Sequence, residues 1–202
     1  MEAMDCGAAY IGFNFYRRSP RFVTLDIASQ LTSQIKRGVT PVGLFVDPSD
    51  AELEGILSSA RLEMIQLHGE ETPERVDEVK ALTGLPVMKA LGISTARDLR
   101  DAQAYEGHAD WLLFDAKPPE DAALPGGNGV AFDWALLKNY SGHTPWMLAG
   151  GLVRSNVIPA IKASGAQAVD VSSGVETEPG VKSPAKIRSF LAAVNSLAAK
   201  KA

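Results

Sequence analysis

Short, nearly continuous apolar runs alternate with amphipathic stretches along almost all of the 202-residue chain. The β-rich runs cover residues 10–15, 41–46, 64–67, 87–91, 111–115, 146–149 and 168–171. Runs this apolar are expected where both faces of a parallel sheet are buried. Helical patterns fill the intervals at 25–37, 49–60, 73–83, 95–105, 133–139, 155–163 and 184–198. Several carry their own punctuation. Thr24 and Asp26 open the first, Thr72-Pro73 sets a cap before an N1 proline, and Ser94 precedes another. Gly38, Gly84 and Gly165 are stop signals.

This rhythm specifies an α/β fold with a parallel sheet. An open doubly wound sheet usually announces itself by a glycine fingerprint after its first strand, and neither GxGxxG nor GxxxxGK[ST] occurs. The last two runs end instead in AGGL and DVSSG, at 149–152 and 170–174. Phosphate sites in (β/α)8 barrels are built from the loops after strands seven and eight, which favours the barrel. The expected architecture is therefore one domain over residues 1–202, a TIM-type (β/α)8 barrel with about seven strands and without its first. Such barrels typically run to about 250 residues, so the chain is short. The interval 118–129 is the long loop. The runs at 10–15 and 168–171 would be left with bare edges, which invite aggregation, a swapped partner or pairing with another segment.

Composition narrows the function. The formal net charge is −4, which argues against a nucleic-acid partner, although Arg17, Arg18 and Arg21 remain possible local anion contacts. The single cysteine, Cys6, rules out an intrachain disulfide and fits a reducing compartment. No apolar run approaches the ~20 residues of a membrane span, and MEAMDCGAAY does not read as a signal peptide. The expectation is a soluble, cytoplasmic protein without a membrane partner.

In a barrel, residues just past the strand ends face the active site. Those positions hold Arg21, Asp47, Gln66 and His68, Lys89, Asp115, Gly150 and Gly151, and Asp170 with Ser172, Ser173 and Gly174. A lone GG is usually a tight turn. Beside SSG on the next strand, it becomes a candidate cradle of N–H groups for a phosphate dianion.

The stretches YIGFNF…RRSPRFV, VGLFVD, IQLHGEE, PVMKAL, LLFDAK, GGNGVAFDW, LAGGL and VDVSSGVETEPGVKSPAKI resemble the phosphoribosylanthranilate isomerase family, in the family's order. The resemblance implies a cofactor-free, metal-free Amadori rearrangement of N-(5-phosphoribosyl)anthranilate, a step of tryptophan biosynthesis. In that reaction an acid protonates the furanose oxygen, the ring opens to a Schiff base, and a base removes the C2 proton. By resemblance Asp115 is the general acid, the alternative being a cap for the next segment. Arg21 resembles the ligand of the anthranilate carboxylate; a solvated loop arginine is the plainer reading. His68 and Asp170 lie near substrate in relatives, yet each also suits a purely structural hydrogen bond. Gly126, Gly127 and Gly129 fit either a loop closing over the site or a flexible link. The oligomeric state stays open between monomer and homodimer.

One departure stands out. The family begins with a strand ending in Lys-x-Cys-Gly, whose cysteine is the base, and no such motif occurs among these residues. Cys6 precedes the first strand run, so six residues at ~3.3 Å each put it roughly 20 Å from the catalytic face. Three origins are open: a start upstream of Met1, a truncation, or an altered member. Without a base, turnover is expected to fall about 10²–10⁴-fold. A catalytically silent phosphosugar-binding or assembly barrel is the alternative function. An indole-glycerol-phosphate synthase type is disfavoured, because the early strand ends offer Asp47 and Gln66 rather than Lys and Glu.

Overall fold

The computed structural model of the chain describes residues 1–117 and 132–198. Six of the seven expected strands form one sheet: β1 (Tyr10–Asn14), β2 (Thr40–Phe45), β3 (Met64–Leu67), β4 (Val87–Ile93), β5 (Trp111–Ala116) and β6 (Trp146–Leu148). Each pairs in parallel with the next in sequence, so the sheet runs β1 to β6 without a swap.

Parallel neighbours need crossovers, and helices supply most of them. After the short α1 (Glu2–Asp5) come α2 (Leu25–Thr32), α3 (Asp50–Leu57), α4 (Pro73–Thr83), α5 (Ala96–Ala102), α6 (Val157–Ser164) and α7 (Pro184–Ala198). The caps read at Thr24 and Thr72 operate, the cap expected at Ser94 stands one residue later at Thr95, and Ser49 supplies one that was not foreseen. The hydroxyls of Thr24, Ser49, Thr72 and Thr95 accept from the backbone N–H three residues on, and Glu52 and Asp98 complete capping boxes. Such a cap contributes about 1 kcal/mol. Gly84 and Gly165 close α4 and α6 in the left-handed region, at φ 67° and 80°.

Side-chain alternation shows how the sheet curls. Val42, Met64, Met88, Ala90, Leu113, Met147 and Ala149 form a small inner cluster. Residues of opposite parity, including Phe13, Phe45, Ile65, Leu67, Val87, Ile93, Leu112 and Phe114, join the larger layer beneath the helices. A small inside and a larger outside are the two surfaces of a barrel wall. The six strands therefore form a curled half-barrel.

Three details differ from expectation. Residues 168–171 make a single parallel bridge, Leu148 to Val169, because β6 is three residues long and Gly150 turns the chain off the ladder at φ 87°. The expected helix at 133–139 is a 3-10 segment, Trp134–Asn139, and a hairpin not foreseen, β7 (Glu176–Glu178) with β8 (Val181–Lys182), follows the SSG loop. The edge of β1 is partly covered: Phe22 bridges Asn14, and the Val23 N–H donates to the Asn14 carbonyl at 2.9 Å. Pairing with another segment thus meets part of the edge problem. The interval 118–129, with Gly126, Gly127 and Gly129, lies outside the described residues.

Candidate active site

Asp115 ends the apolar run of β5 on the inner parity set by Leu113, and it is buried. One carboxylate oxygen accepts from the Ala116 N–H at 2.8 Å. The other lies 3.5 Å from His68 Nε2. His68 follows β3, two residues past Gln66, whose amide nitrogen is 3.1 Å from His68 Nδ1. An amide nitrogen can only donate, so Nδ1 accepts and a neutral ring carries its proton on Nε2, facing Asp115. Gln66, His68 and Asp115 thus form one chain of polar contacts across three strands.

Asp170 completes the acidic side. Its carboxyl is raised above the usual carboxylate range, first by the surrounding protein, which disfavours charge, and then by the Asp115 carboxylate. The residue keeps open access to solvent, which weakens the first effect.

The two candidate phosphate loops meet. A Cβ on Gly174 would lie 1.8 Å from the Leu152 carbonyl oxygen, so only glycine allows the SSG loop to rest on the GGL loop. Gly150 is held as tightly: a Cβ there would be 2.6 Å from the Ala116 nitrogen and 3.0 Å from the Asp115 carboxylate. Among the described residues, none accepts a hydrogen bond from the N–H of Gly150, Gly151, Ser173 or Gly174. Asn156 braces the first loop, accepting from the Val153 N–H at 2.7 Å and donating to the Gly151 carbonyl at 2.9 Å.

Arg21 is drawn to this side by Glu176. Its Nε and Nη2 each donate to a different carboxylate oxygen at 2.8 Å. Lys182 Nζ donates to Glu176 at 2.6 Å and to both the carbonyl and hydroxyl of Ser172 at 3.0 Å. Burial alone would raise the Glu176 carboxyl, but Arg21 and Lys182 together bring it down to about 2.

Lys89 does not belong to the mouth. It shares parity with Val87 and Ile93, so its side chain enters the helix-facing layer, where Nζ donates to Glu71 at 2.7 Å and to the Gly69 carbonyl at 2.6 Å. The Glu71 carboxylate accepts from the N–H groups of Asp47 and Gly69 at 2.8 and 2.9 Å. Asp47, at φ 46°, accepts from the Glu70 N–H at 2.7 Å. Lys89, Glu71 and Asp47 therefore fasten the loops that carry His68.

Cys6 caps α1, ahead of β1, with its carbonyl held by Asn195 and its thiol 3.6 Å from Glu2. It has no place at the mouth. Sequence reasoning missed Glu176, Lys182, Glu71 and Asn156. The first two stood within the VDVSSGVETEPGVK block but carried no spacing signal toward Arg21. Among the described residues, no group of three or more His, Cys, Asp or Glu is arranged to hold a metal ion, and no helix is long and apolar enough to cross a membrane.

The model of the N-(5'-phosphoribosyl)anthranilate (PRA) isomerase family matches residues 1–193. A relative of that name from Paracoccus denitrificans is 57% identical over 190 residues, covering 94% of this chain and 88% of the relative. Another, from Rhodospirillum centenum, is 55% identical over 196 residues, covering 96% and 92%. Among solved structures, the Thermotoga maritima phosphoribosyl anthranilate isomerase superposes with a TM-score of 0.86 at 33% identity, covering 96% of this chain and 92% of its own. A phosphoribosyl anthranilate isomerase in complex with reduced 1-(o-carboxyphenylamino)-1-deoxyribulose 5-phosphate gives 0.84 at 31%, covering 96% and 91%. A half-barrel that matches whole barrels this closely, with an aspartate, a histidine and two glycine-bearing loops at one end, places the chain in the N-(5'-phosphoribosyl)anthranilate isomerase family.

Proposed function

We propose that the chain acts on N-(5-phosphoribosyl)anthranilate, rearranging it to 1-(carboxyphenylamino)-1-deoxyribulose 5-phosphate in tryptophan biosynthesis. The observation that carries this reading is the Asp115 carboxylate, buried at the end of β5 and 3.5 Å from His68 Nε2. A carboxyl group on the inner wall, with one oxygen fixed by Ala116, can present the other to a sugar ring oxygen. His68, oriented by Gln66, sets its Nε2 3.5 Å from that second oxygen and is placed to steady it through the proton transfer. Asp170 stands beside it, its carboxyl raised above the usual range by burial and by the Asp115 charge.

The remaining assignments follow from charge. The N–H groups of Gly150, Gly151, Ser173 and Gly174, unpaired among the described residues, suit the 5-phosphate, with Ser172 shaping the loop. Arg21 suits the anthranilate carboxylate, because a guanidinium keeps a second pair of parallel N–H donors after Glu176 has taken the first. Phosphate and carboxylate then lie at two ends of one ligand, with Asp115 serving the sugar between them.

The deciding experiment is conversion of phosphoribosylanthranilate by the purified chain, followed by loss of anthranilate fluorescence, with rescue of a tryptophan auxotroph beside it. Turnover that disappears in Asp115→Asn supports the reading. Binding of the reduced product analogue without any turnover or rescue would instead favour a silent phosphosugar-binding barrel. Absence of both activity and binding would sink the proposal.

A further inference from the structure

We infer that Glu176 is a positioning residue that turns Arg21 toward the ring carboxylate of the ligand and ties that end of the site to the phosphate loop through Lys182. The inference rests on the isomerase reading above. A free arginine on a loop has many rotamers, and a ligand that must select one loses affinity for doing so. In this chain the selection is made in advance. Glu176, whose side chain is 4% exposed, takes Nε and one Nη2 hydrogen at 2.8 Å each, which fixes the plane of the guanidinium. Three donors remain, and two of them form a parallel pair along the Nη1–Nη2 edge.

The same carboxylate oxygen that receives Arg21 Nε also receives Lys182 Nζ at 2.6 Å. Lys182 reaches the carbonyl and hydroxyl of Ser172, next to the N–H groups of Ser173 and Gly174. Lys186 anchors the Glu176 backbone carbonyl at 2.6 Å, so the hub itself is pinned to α7. Two cations share one anion, leaving a net positive charge between the places proposed for phosphate and carboxylate. An ordinary structural ion pair has no reason to join these two points. Glu176 joins them through side chains that stay partly open, Arg21 at 14% and Lys182 at 41% exposure.

The test is calorimetric binding to the full chain of two ligands. One is reduced 1-(o-carboxyphenylamino)-1-deoxyribulose 5-phosphate; the other is the same compound without the ring carboxyl. Glu176→Gln should weaken the carboxylated ligand about 10–100-fold and the other less than about 3-fold, because a supporting partner acts through the group it orients. Lys182→Met should weaken both, since its effect reaches the phosphate end. Glu176→Asp keeps the charge between the two cations but cannot span both guanidinium donors. It should lose carboxylate preference to a smaller degree, and it serves if the glutamine variant does not fold. Equal losses for both ligands, or none, would make Glu176 a purely structural residue and overturn the inference. If the unmodified chain binds neither ligand, the isomerase reading falls and this inference with it.

Discussion

Two acidic residues at the same end of the barrel, Glu71 and Glu176, each hold a cation, and the contrast separates scaffolding from recognition. Lys89 and Glu71 are both 2% exposed, and their remaining hydrogen bonds go to backbone groups of Gly69 and Asp47. Two of the three ammonium hydrogens are taken, and burial with the Tyr105 ring 5.9 Å away keeps the third from a ligand. Arg21 and Glu176 form the more open pair, and Lys182 carries their charge on to Ser172. A pair closed to ligands sets loop geometry; a pair with an unused donor edge can also recognise an anion. Desolvation makes a closed pair a weak source of net stability but costly to break on one side only.

The largest effect expected should fall on neither pair. Asp115→Asn keeps the shape and removes the acidic proton, so turnover of phosphoribosylanthranilate should drop about 10²–10⁴-fold with little change in melting temperature. A loss of that size from Arg21 or Glu176 variants, with Asp115→Asn mild, would move the chemistry from the aspartate to the open pair. Next comes Lys89→Met, which strands the Glu71 charge under the helices. It should cost about 3–5 kcal/mol in urea unfolding, while protein that remains folded keeps its preference for the carboxylated ligand. A cost below about 1 kcal/mol would show that the pair is not closed.

Arg21→Met should show the opposite pattern. Removing a partly open guanidinium leaves Glu176 still paired with Lys182, so the unfolding free energy should change by only about 1 kcal/mol. Affinity for the carboxylated analogue should fall about 10–100-fold, as expected when a charge-assisted bidentate contact is lost. Equal binding by Arg21→Met and the parent chain would break the comparison at its open end.

How much of this was legible in the sequence follows from what carries the residue. Asp115, His68 and the two glycine-bearing loops end or follow apolar runs, so strand position alone put them at the catalytic face. Their mutual approach was not legible, because the contact of His68 with Asp115 depends on the curl of three strands. Lys89 was misread for a related reason. A strand apolar on both faces gives no parity signal, so a polar residue within it can be drawn on either side. The partnership of Arg21 with Glu176 spans 155 residues and rests on a hairpin, β7–β8, that no hydrophobic period announces. The strand at 168–171 shrank to one bridge because the length of its neighbour β6, not its own composition, limits the ladder.

The smallest effect is also the most specific to the open pair, and it appears in acid. Glu176 has an ordinary carboxyl value of 4.5 and is held at about 2 in the folded chain. A carboxyl depressed by folding adds stability above its unfolded value, and that stability drains away as pH falls through the folded value. The contribution of Glu176 should therefore be complete above about pH 5 and fade between about 4.5 and 2. Asp98, Glu52 and Glu106 are also lowered, by backbone and hydroxyl donors, so acid melting of the parent chain alone mixes several groups. Subtracting the melting curve of Glu176→Gln removes the shared part. The difference between the two proteins should narrow over that window and nowhere above it. Because Lys182 is well exposed, solvent screening keeps the effect modest, and added salt should shrink it further. A difference that is flat from about pH 5 to 2, or that widens as pH falls, would show that Arg21 and Lys182 are not held by the charge of Glu176.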